Sequence, residues 1–155
     1  MDRIPTEADW RSEPWCLDAE QAYRNLAGKS LEETIELFTD NSLIYQEDVM
    51  FMPAACFAFY ASAYMEYLWS GAAKDDSDGA NCFFGVIDCR LGDVLNAGPE
   101  FTAKVIEMLK HLSLRQTWFD ADEAIYGSFT RKSKRLISRL GGDGRSPAEF
   151  GRRPN

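Results

Sequence analysis

The sequence predicts an all-α protein, built as a single-domain bundle or irregular array of five to six helices. Three observations support this fold class. Apolar residues recur every three to four positions through most of the chain, which is the spacing of one helix face. Several of these stretches begin with a capping box or a proline, both of which favour the start of a helix. No Asn-Gly or Asp-Gly turn separates two alternating apolar and polar segments, so strands are not expected.

The chain is predicted to divide into an arm, a helical body and a tail. Its 155 residues suit one domain that buries its core without a disulfide or metal. Residues 1–15 are polar and are predicted to form an irregular N-terminal arm, with Trp10 and Trp15 packed onto the body. Residues 16–140 form the helical domain, and residues 141–155 are predicted to be a flexible basic tail.

Two capping boxes open the first two predicted helices. In such a box, a side-chain acceptor at the first position meets a backbone N–H three residues later, and the fourth side chain reaches back. The box at residues 18–21 starts a helix that ends at Gly28. The box at residues 30–33 starts a second helix, which the polar residues 40–42 are expected to end.

Four further helices are predicted after that stop. Pro53 suits the first turn of a helix over residues 53–69, which is apolar on nearly every face, as the central helix of a bundle is. Amphipathic spacing predicts helices over residues 80–95 and 99–114. A third capping box, at residues 120–123, is expected to open the last helix, which runs to the Gly-Gly pair at 141.

The charge distribution limits the classes of partner. The formal charge of −8 argues against general binding to nucleic acid or to an anionic membrane, because both attract cationic surfaces. Residues 131–153 carry a net charge of +6 and the remainder carries −14. Such a body suits a protein partner with a basic surface patch, although acidic surfaces also serve solubility alone.

The compartment and the redox state follow from what the sequence contains. The N-terminus is polar and has no apolar run of the length that a signal peptide needs, so a cytoplasmic location is expected. The apolar run over residues 50–69 contains Pro53 and Glu66, and we interpret it as a buried helix rather than a membrane span. Four cysteines without CxxC spacing are expected to be reduced thiols: Cys16, Cys56, Cys82 and Cys89.

The motifs of catalysis and cofactor binding do not occur in their usual forms. His111 is the only histidine, and no GxSxG pattern accompanies it, so no catalytic residue is predicted. Cys82 and Cys89, even with His111, lack the ligand spacing of a structural zinc site. The acidic loop at residues 75–78 fails the order of a calcium-binding EF-hand. We therefore predict neither a metal nor a cofactor; a small enzyme using His111 is the least favoured alternative.

One segment stands out as a candidate for partner binding. Between residues 45 and 53, acidic side chains lie among large apolar ones just before the apolar helix, in a segment that suits a short helix or an extended connection. Glu47 and Asp48 are expected either to cap that helix or bond inside the core, or to form a recognition surface. The candidate partner-binding residues are Tyr45, Glu47, Asp48, Met50, Phe51, Asp75, Asp76 and Asp78.

Over residues 22–70 the chain resembles a group of small helical bacterial proteins that are often encoded beside polymorphic toxins. The matching residues are Tyr45, Glu47, Asp48, Met50 and Met52, followed by Phe57, Phe59, Tyr60 and Tyr67. Some members of this group look like immunity proteins. The resemblance implies a cytoplasmic inhibitor that binds and neutralises a cognate toxin domain. The main alternative is a homodimeric structural or adaptor protein that associates through the aromatic helix.

Overall fold

The computed structural model describes residues 3–141, and every regular element in this range is helical. The all-α class and the single domain are confirmed. Six of the nine α-helices in this range have ten or more residues, in line with the five to six expected, and the other three are short. The helices are α1 (Glu7–Trp10), α2 (Leu17–Leu26), α3 (Leu31–Phe51), α4 (Ala54–Trp69), α5 (Ser77–Cys89), α6 (Leu91–Asn96), α7 (Pro99–Leu114), α8 (Glu123–Tyr126) and α9 (Phe129–Arg139).

The N-terminal arm contains one helical turn, α1, which is held by a reciprocal capping box between Thr6 and Asp9. Trp10 is buried at the end of this turn, with its ring 5.7 Å from the rings of both Tyr23 and Tyr60. Trp15 is partly buried and lies 5.4 Å from Tyr23. The predicted basic tail begins at residue 141, so nearly all of it lies outside the described residues.

The polar residues that were expected to end the second helix produce a kink instead. Asn41 has non-helical angles, with φ at −156° and ψ at 86°, and the chain resumes its helical path directly afterwards. The segment that the sequence left open between helix and extended chain is therefore helical up to Phe51. Pro53 stands directly before α4, at its N-cap position. A proline is tolerated at the start of a helix because its missing N–H would have no partner there.

Three helix boundaries differ from the predicted ones. Helix α2 begins at a cap formed by Cys16, whose Sγ accepts a hydrogen bond from the Ala19 N–H, so the box at residues 18–21 was placed too late. The helix predicted from residue 80 begins earlier, at Ser77, and non-helical angles at Arg90 divide it into α5 and α6. The last predicted helix begins later than the box at residues 120–123 implied, with Asp122 as its cap, and it is interrupted at Gly127, whose φ of 75° is accessible mainly to glycine.

Helix α4 is the centre of the core, as its apolar character predicted. Eleven of its sixteen residues are buried, and it packs against α1, α3, α6 and α7. Aromatic rings fill the space around it: Tyr64 stacks on Phe38 at 4.7 Å and meets Phe83 edge-on at 5.3 Å. Buried rings of this size supply much of the apolar area that stabilises a small domain.

The N-terminal end of α5 is joined to α3 and α4 through Asp76. The Oδ1 atom of this residue accepts a hydrogen bond from the Gly79 N–H at 3.0 Å and so caps α5. Its Oδ2 atom accepts from the Ser42 hydroxyl at 2.5 Å and from the Tyr67 hydroxyl at 2.7 Å. One carboxylate thus connects the kink of α3, the central helix and the start of α5.

The C-terminal end of α5 is joined to the end of α3 through Arg90. Its Nη1 atom donates to the carbonyls of Val49, Met50 and Met52, at 3.2, 3.2 and 2.6 Å. Its Nε atom donates to Asp93 at 2.6 Å, and its side chain is only 10% exposed. Since Asp76 meets the first residues after the kink and Arg90 meets the last turn, α5 and the second half of α3 run in the same direction.

Gly79 and Gly85 lie on the same helix, and we expect alanine to have opposite effects at the two positions. A Cβ atom at Gly79 would lie 2.1 Å from Asp76 Oδ2 and 2.6 Å from Ser42 Oγ. Gly79→Ala should therefore disrupt the Asp76 hydrogen bonds and lower the free energy of unfolding by about 2 kcal/mol. A Cβ atom at Gly85 would meet nothing within 4 Å, so Gly85→Ala should raise it by about 0.5–1 kcal/mol. Urea unfolding measures both; a destabilising Gly85→Ala or a neutral Gly79→Ala would contradict the described packing.

Arg90 should contribute far more to stability than an exposed arginine of similar pairing. Arg90→Met removes the donors to the last carbonyls of α3 and leaves Asp93 without its cation, so we expect a loss of about 3 kcal/mol. Arg135 pairs with Asp88 on the surface and is 59% exposed. Arg135→Met should therefore change the free energy of unfolding by less than about 0.5 kcal/mol. Equal losses in the free energy of unfolding for the two variants, measured by thermal or urea unfolding, would show that the contacts of Arg90 stabilise the fold no more than a surface ion pair does.

Candidate protein-binding groove

A narrow groove of about 210 Å³ runs between α2 and the second half of α3. Seven side chains line it, and on each helix they follow the spacing of one face, with steps of three and four residues. Helix α2 contributes Asp18, Gln21 and Asn25; helix α3 contributes Ile44, Glu47, Asp48 and Phe51. We call this feature the α2–α3 groove.

Asp48 lies on the floor of the α2–α3 groove and is the one charged residue among those buried in the described chain, with 5% exposure. Its Oδ2 atom accepts a hydrogen bond from Asn25 Nδ2 at 2.8 Å, and Asn25 Oδ1 in turn accepts from Gln21 at 3.1 Å. Within residues 3–141 no lysine or arginine pairs with Asp48. A buried carboxylate without a cation lowers the free energy of unfolding, so core packing alone does not explain the presence of Asp48. Ionisable groups in such environments are often part of a functional site.

The pKa of Asp48 reflects this environment. Burial raises it from its ordinary value near 3.8 to about 6, and the neighbouring charge of Glu47 adds to the rise. The hydrogen bond from Asn25 opposes the rise, because it favours the ionised form. The carboxyl group therefore changes its charge close to neutral pH.

The walls of the groove are apolar and exposed. Ile44 is 49% exposed and Phe51 is 44% exposed, although both are large apolar residues. Leu17 and Leu43, which precede groove residues in the chain, are also exposed. Exposed apolar residues that are grouped at one place and rimmed by polar groups suit a surface that binds another molecule.

Among the grooves that the structure describes, two have only acidic residues as their charged lining: the α2–α3 groove and a groove lined by Asp120, Asp122 and Glu123. The α4–α7 groove combines Glu66 and Glu107 with Lys104. The α5–α9 groove combines Asp88 with Lys132 and Arg135. In the α2–α3 groove every charged side chain of the lining is acidic, so it favours a cationic occupant.

The structure separates the predicted site residues of α3 into two groups. Glu47, Asp48 and Phe51 line the α2–α3 groove. Tyr45 is partly buried beside this face of the helix, with its ring 6.1 Å from Phe38. Met50 is also partly buried against the core, and its carbonyl accepts a hydrogen bond from Arg90. Because a helix turns by 100° per residue, residues 45 and 50 lie about 140° apart, on the two flanks of the groove face, and each packs against the core there.

The three predicted acidic residues near α5 lie outside the groove. Asp76 directs both carboxylate oxygens to internal donors, so it is a capping and bridging residue of the fold. Asp78 is exposed and accepts a hydrogen bond from the Tyr126 hydroxyl at 2.8 Å. Asp75 is exposed, with φ at 64°, and its N–H donates to the Trp118 carbonyl at 3.3 Å.

Two groove elements were missing from the sequence prediction. Asp18 and Gln21 were interpreted as the ends of a capping box and Asn25 was not singled out, yet their spacing of three and four places all three on one side of α2. The same spacing from Ile44 onwards marks the facing side of α3. The sequence therefore contains the spacing of both groove faces, but whether the two faces meet depends on how α2 packs against α3.

His111 lies in an aromatic cluster. Its ring is 3.8 Å from the half-exposed Trp69 and 6.1 Å from Phe119. Burial and the charge of Arg115 lower its pKa, against a raising hydrogen bond with the Leu68 backbone. In the described range, no group of three or more His, Cys, Asp or Glu side chains is arranged to hold a metal ion.

The aromatic helix offers little surface for association between copies. Within the monomer, α4 buries the rings of Phe57, Phe59, Tyr60, Tyr64 and Tyr67. Its exposed residues are Ala54, Ala55, Glu66 and Trp69. A homodimer through this helix would have to use these few side chains.

Comparison with protein-family models, curated proteins and solved structures gives no match to this chain. Within residues 3–141, none of the helices combines the length and the apolar character that crossing a lipid bilayer requires.

The buried charge of Asp48 should make the protein less stable at neutral and alkaline pH than a variant without it. The folded pKa of about 6 exceeds the ordinary value, so the folded state binds a proton more tightly and the cost of the charge fades as the pH falls through 6 toward 4. Asp48→Asn keeps an acceptor for Asn25 and removes the charge. Because the groove is open to water, we expect it to gain about 1 kcal/mol at pH 8 and about half of that at pH 5.

The matched control for this prediction is Glu47→Gln, which removes the same charge from the exposed neighbouring residue. It should change the free energy of unfolding by less than about 0.5 kcal/mol at both pH values. Urea unfolding of the three proteins at pH 5 and pH 8 measures the differences. A gain for Asp48→Asn that is the same at both pH values would rule out the titration of this carboxyl group as its cause.

Proposed function

We propose that this chain is a non-catalytic binding protein, an immunity protein that binds a cognate bacterial toxin domain and neutralises it in the cytoplasm of the producing cell. The observation that carries the proposal is the α2–α3 groove, where a buried carboxylate lies between exposed apolar walls. The immunity role itself comes from the resemblance of residues 22–70 to small helical proteins encoded beside toxins.

The charge of the molecule supports a basic protein partner. The chain carries a formal charge of −8, and the basic residues are concentrated after position 130. Complementary charge steers two proteins together and raises their association rate. A toxin domain with a basic patch would thus be attracted to the acidic body, and the groove would supply the local contacts that hold it.

The groove also has the chemical character of an interface centre. Aromatic and aliphatic anchors surrounded by polar groups commonly supply most of the binding energy of an interface. Phe51 and Ile44 are exposed anchors of this kind, and Glu47 lies beside them. An inhibitor needs only to cover the active surface of the toxin, so no catalytic group is required of this chain.

If the product of the adjacent gene is the cognate toxin, reversing the charge of Glu47 should weaken the complex between the two proteins. The two proteins are co-expressed and co-purified, and growth of the producing cells reports neutralisation. Glu47→Lys places a cation in the acidic groove, so we expect the dissociation constant to rise more than tenfold and protection to fall. Isothermal titration calorimetry measures the change.

Glu36→Lys is the matched control, because Glu36 is exposed on the first half of α3, away from the groove, and the substitution alters net charge equally. It should weaken binding less than threefold, through steering alone. Equal losses for the two variants would remove the groove from the interface. If the pair neither co-purifies nor protects growth, the immunity role is wrong; a tight dimer in light scattering without any toxin would favour the adaptor alternative.

A further inference from the structure

Asp48 has one carboxylate oxygen that is free to accept a hydrogen bond from a group entering the α2–α3 groove. The Oδ2 atom is bonded to Asn25, whereas Oδ1 accepts no hydrogen bond from the residues that the structure describes. The residue is 95% buried, yet it lines the groove, so Oδ1 can be reached only from the groove. The hydrogen bonds from Gln21 to Asn25 and from Asn25 to Asp48 hold the carboxylate in this orientation.

We infer that the α2–α3 groove receives one arginine side chain of the partner protein, whose guanidinium bonds to Asp48 and Glu47. The identity of the partner as a toxin rests on the proposed function, but the recognition of arginine does not. The other charged residues of the groove are Asp18 on the opposite helix, α2, and Glu47 beside Asp48 on α3, and both are acidic. A cation entering the groove would therefore meet attraction from each wall.

The size of the groove favours a single long side chain. Its volume of about 210 Å³ lies below the roughly 300–1,000 Å³ of sites that take drug-sized molecules. A helix or a strand would not fit between α2 and α3. The methylene stem of an arginine would instead pack between Ile44 and Phe51, whose apolar surfaces are exposed at the rim.

Arginine fits this groove better than lysine for three physical reasons. Its planar guanidinium has five N–H donors and can bond two acceptors at once, and the carboxylates of Glu47 and Asp48 both line the groove. Its flat face stacks on aromatic rings, and the ring of Phe51 is exposed beside the carboxylates. It is also less strongly hydrated than an ammonium group, so entry to a partly buried acceptor costs less.

Titration of the labelled full-length protein with N-acetyl-arginine methylamide, followed by NMR, tests the inference without the toxin. We expect saturable shifts of the Asn25 side-chain amide and of the backbone amides of Ile44, Glu47 and Asp48, with a millimolar dissociation constant. The citrulline analogue has the same shape and no charge, and it should cause no saturable shift. The lysine analogue should bind at least threefold more weakly than the arginine analogue.

Two variants locate the binding. Asp48→Asn should weaken binding of the arginine analogue more than tenfold, whereas Glu36→Gln, which removes a charge outside the groove, should change it less than twofold. Since the pKa of Asp48 is about 6, lowering the pH from 7.5 to 5 should weaken binding to the native protein about tenfold. The Asp48→Asn protein should lose most of this pH dependence.

Several results would overturn the inference: shifts that persist in Asp48→Asn, equal binding of the citrulline analogue, or equal binding of the lysine analogue. The two proposals fail in different ways. A toxin complex that weakens in Glu47→Lys, together with no response to the arginine analogue, would retain the immunity role and reject the arginine. Arginine binding in the groove without any toxin complex would reject the immunity role and retain the recognition of arginine.

Discussion

The structure depends on how the two ends of α5 hold the second half of α3. At one end, Asp76 binds Ser42 just after the kink, and at the other end Arg90 binds the last carbonyls of α3. Helix α4 lies against this pair, since Tyr67 shares the Asp76 carboxylate and Phe57 lies under the Arg90 guanidinium at 4.7 Å. The aromatic core can therefore pack around one defined position of the part of α3 that follows the kink at Asn41.

The same restraint determines what α3 presents on its other side. With the face toward α5 fixed at both ends, the opposite face carries Ile44, Glu47 and Asp48 toward α2 in one arrangement. A binding site made of rigid side chains loses little conformational entropy when a partner arrives. A buried, uncompensated carboxylate lowers stability, and natural proteins accept such costs mainly where a site needs them. The contacts at both ends of α5 thus stabilise the fold, and the buried charge of Asp48 in the groove offsets part of that stability.

Local signals predicted those parts of the structure that depend on local chemistry. Pro53 and Pro99 marked helix starts correctly, because a proline at the first turn needs no partner from elsewhere in the chain. Asp76 was assigned to an acidic loop and to the partner-binding residues, because the sequence does not show that Ser42 and Tyr67 approach it. The α3 side of the groove was identified and the α2 side was missed for the same reason. Contacts between distant segments determine both the partners of Asp76 and the residues that face each other in the groove.

The parallel course of α5 and the second half of α3 has an electrostatic consequence. Each helix carries a partial positive charge at its N-terminal end and a partial negative charge at its C-terminal end, so two parallel neighbours place like poles side by side. Asp76 puts a negative charge between the two positive poles, and Arg90 puts a positive charge between the two negative poles. Each of these side chains is therefore both a mechanical link and a counter-charge that makes the parallel arrangement of the helix dipoles tolerable.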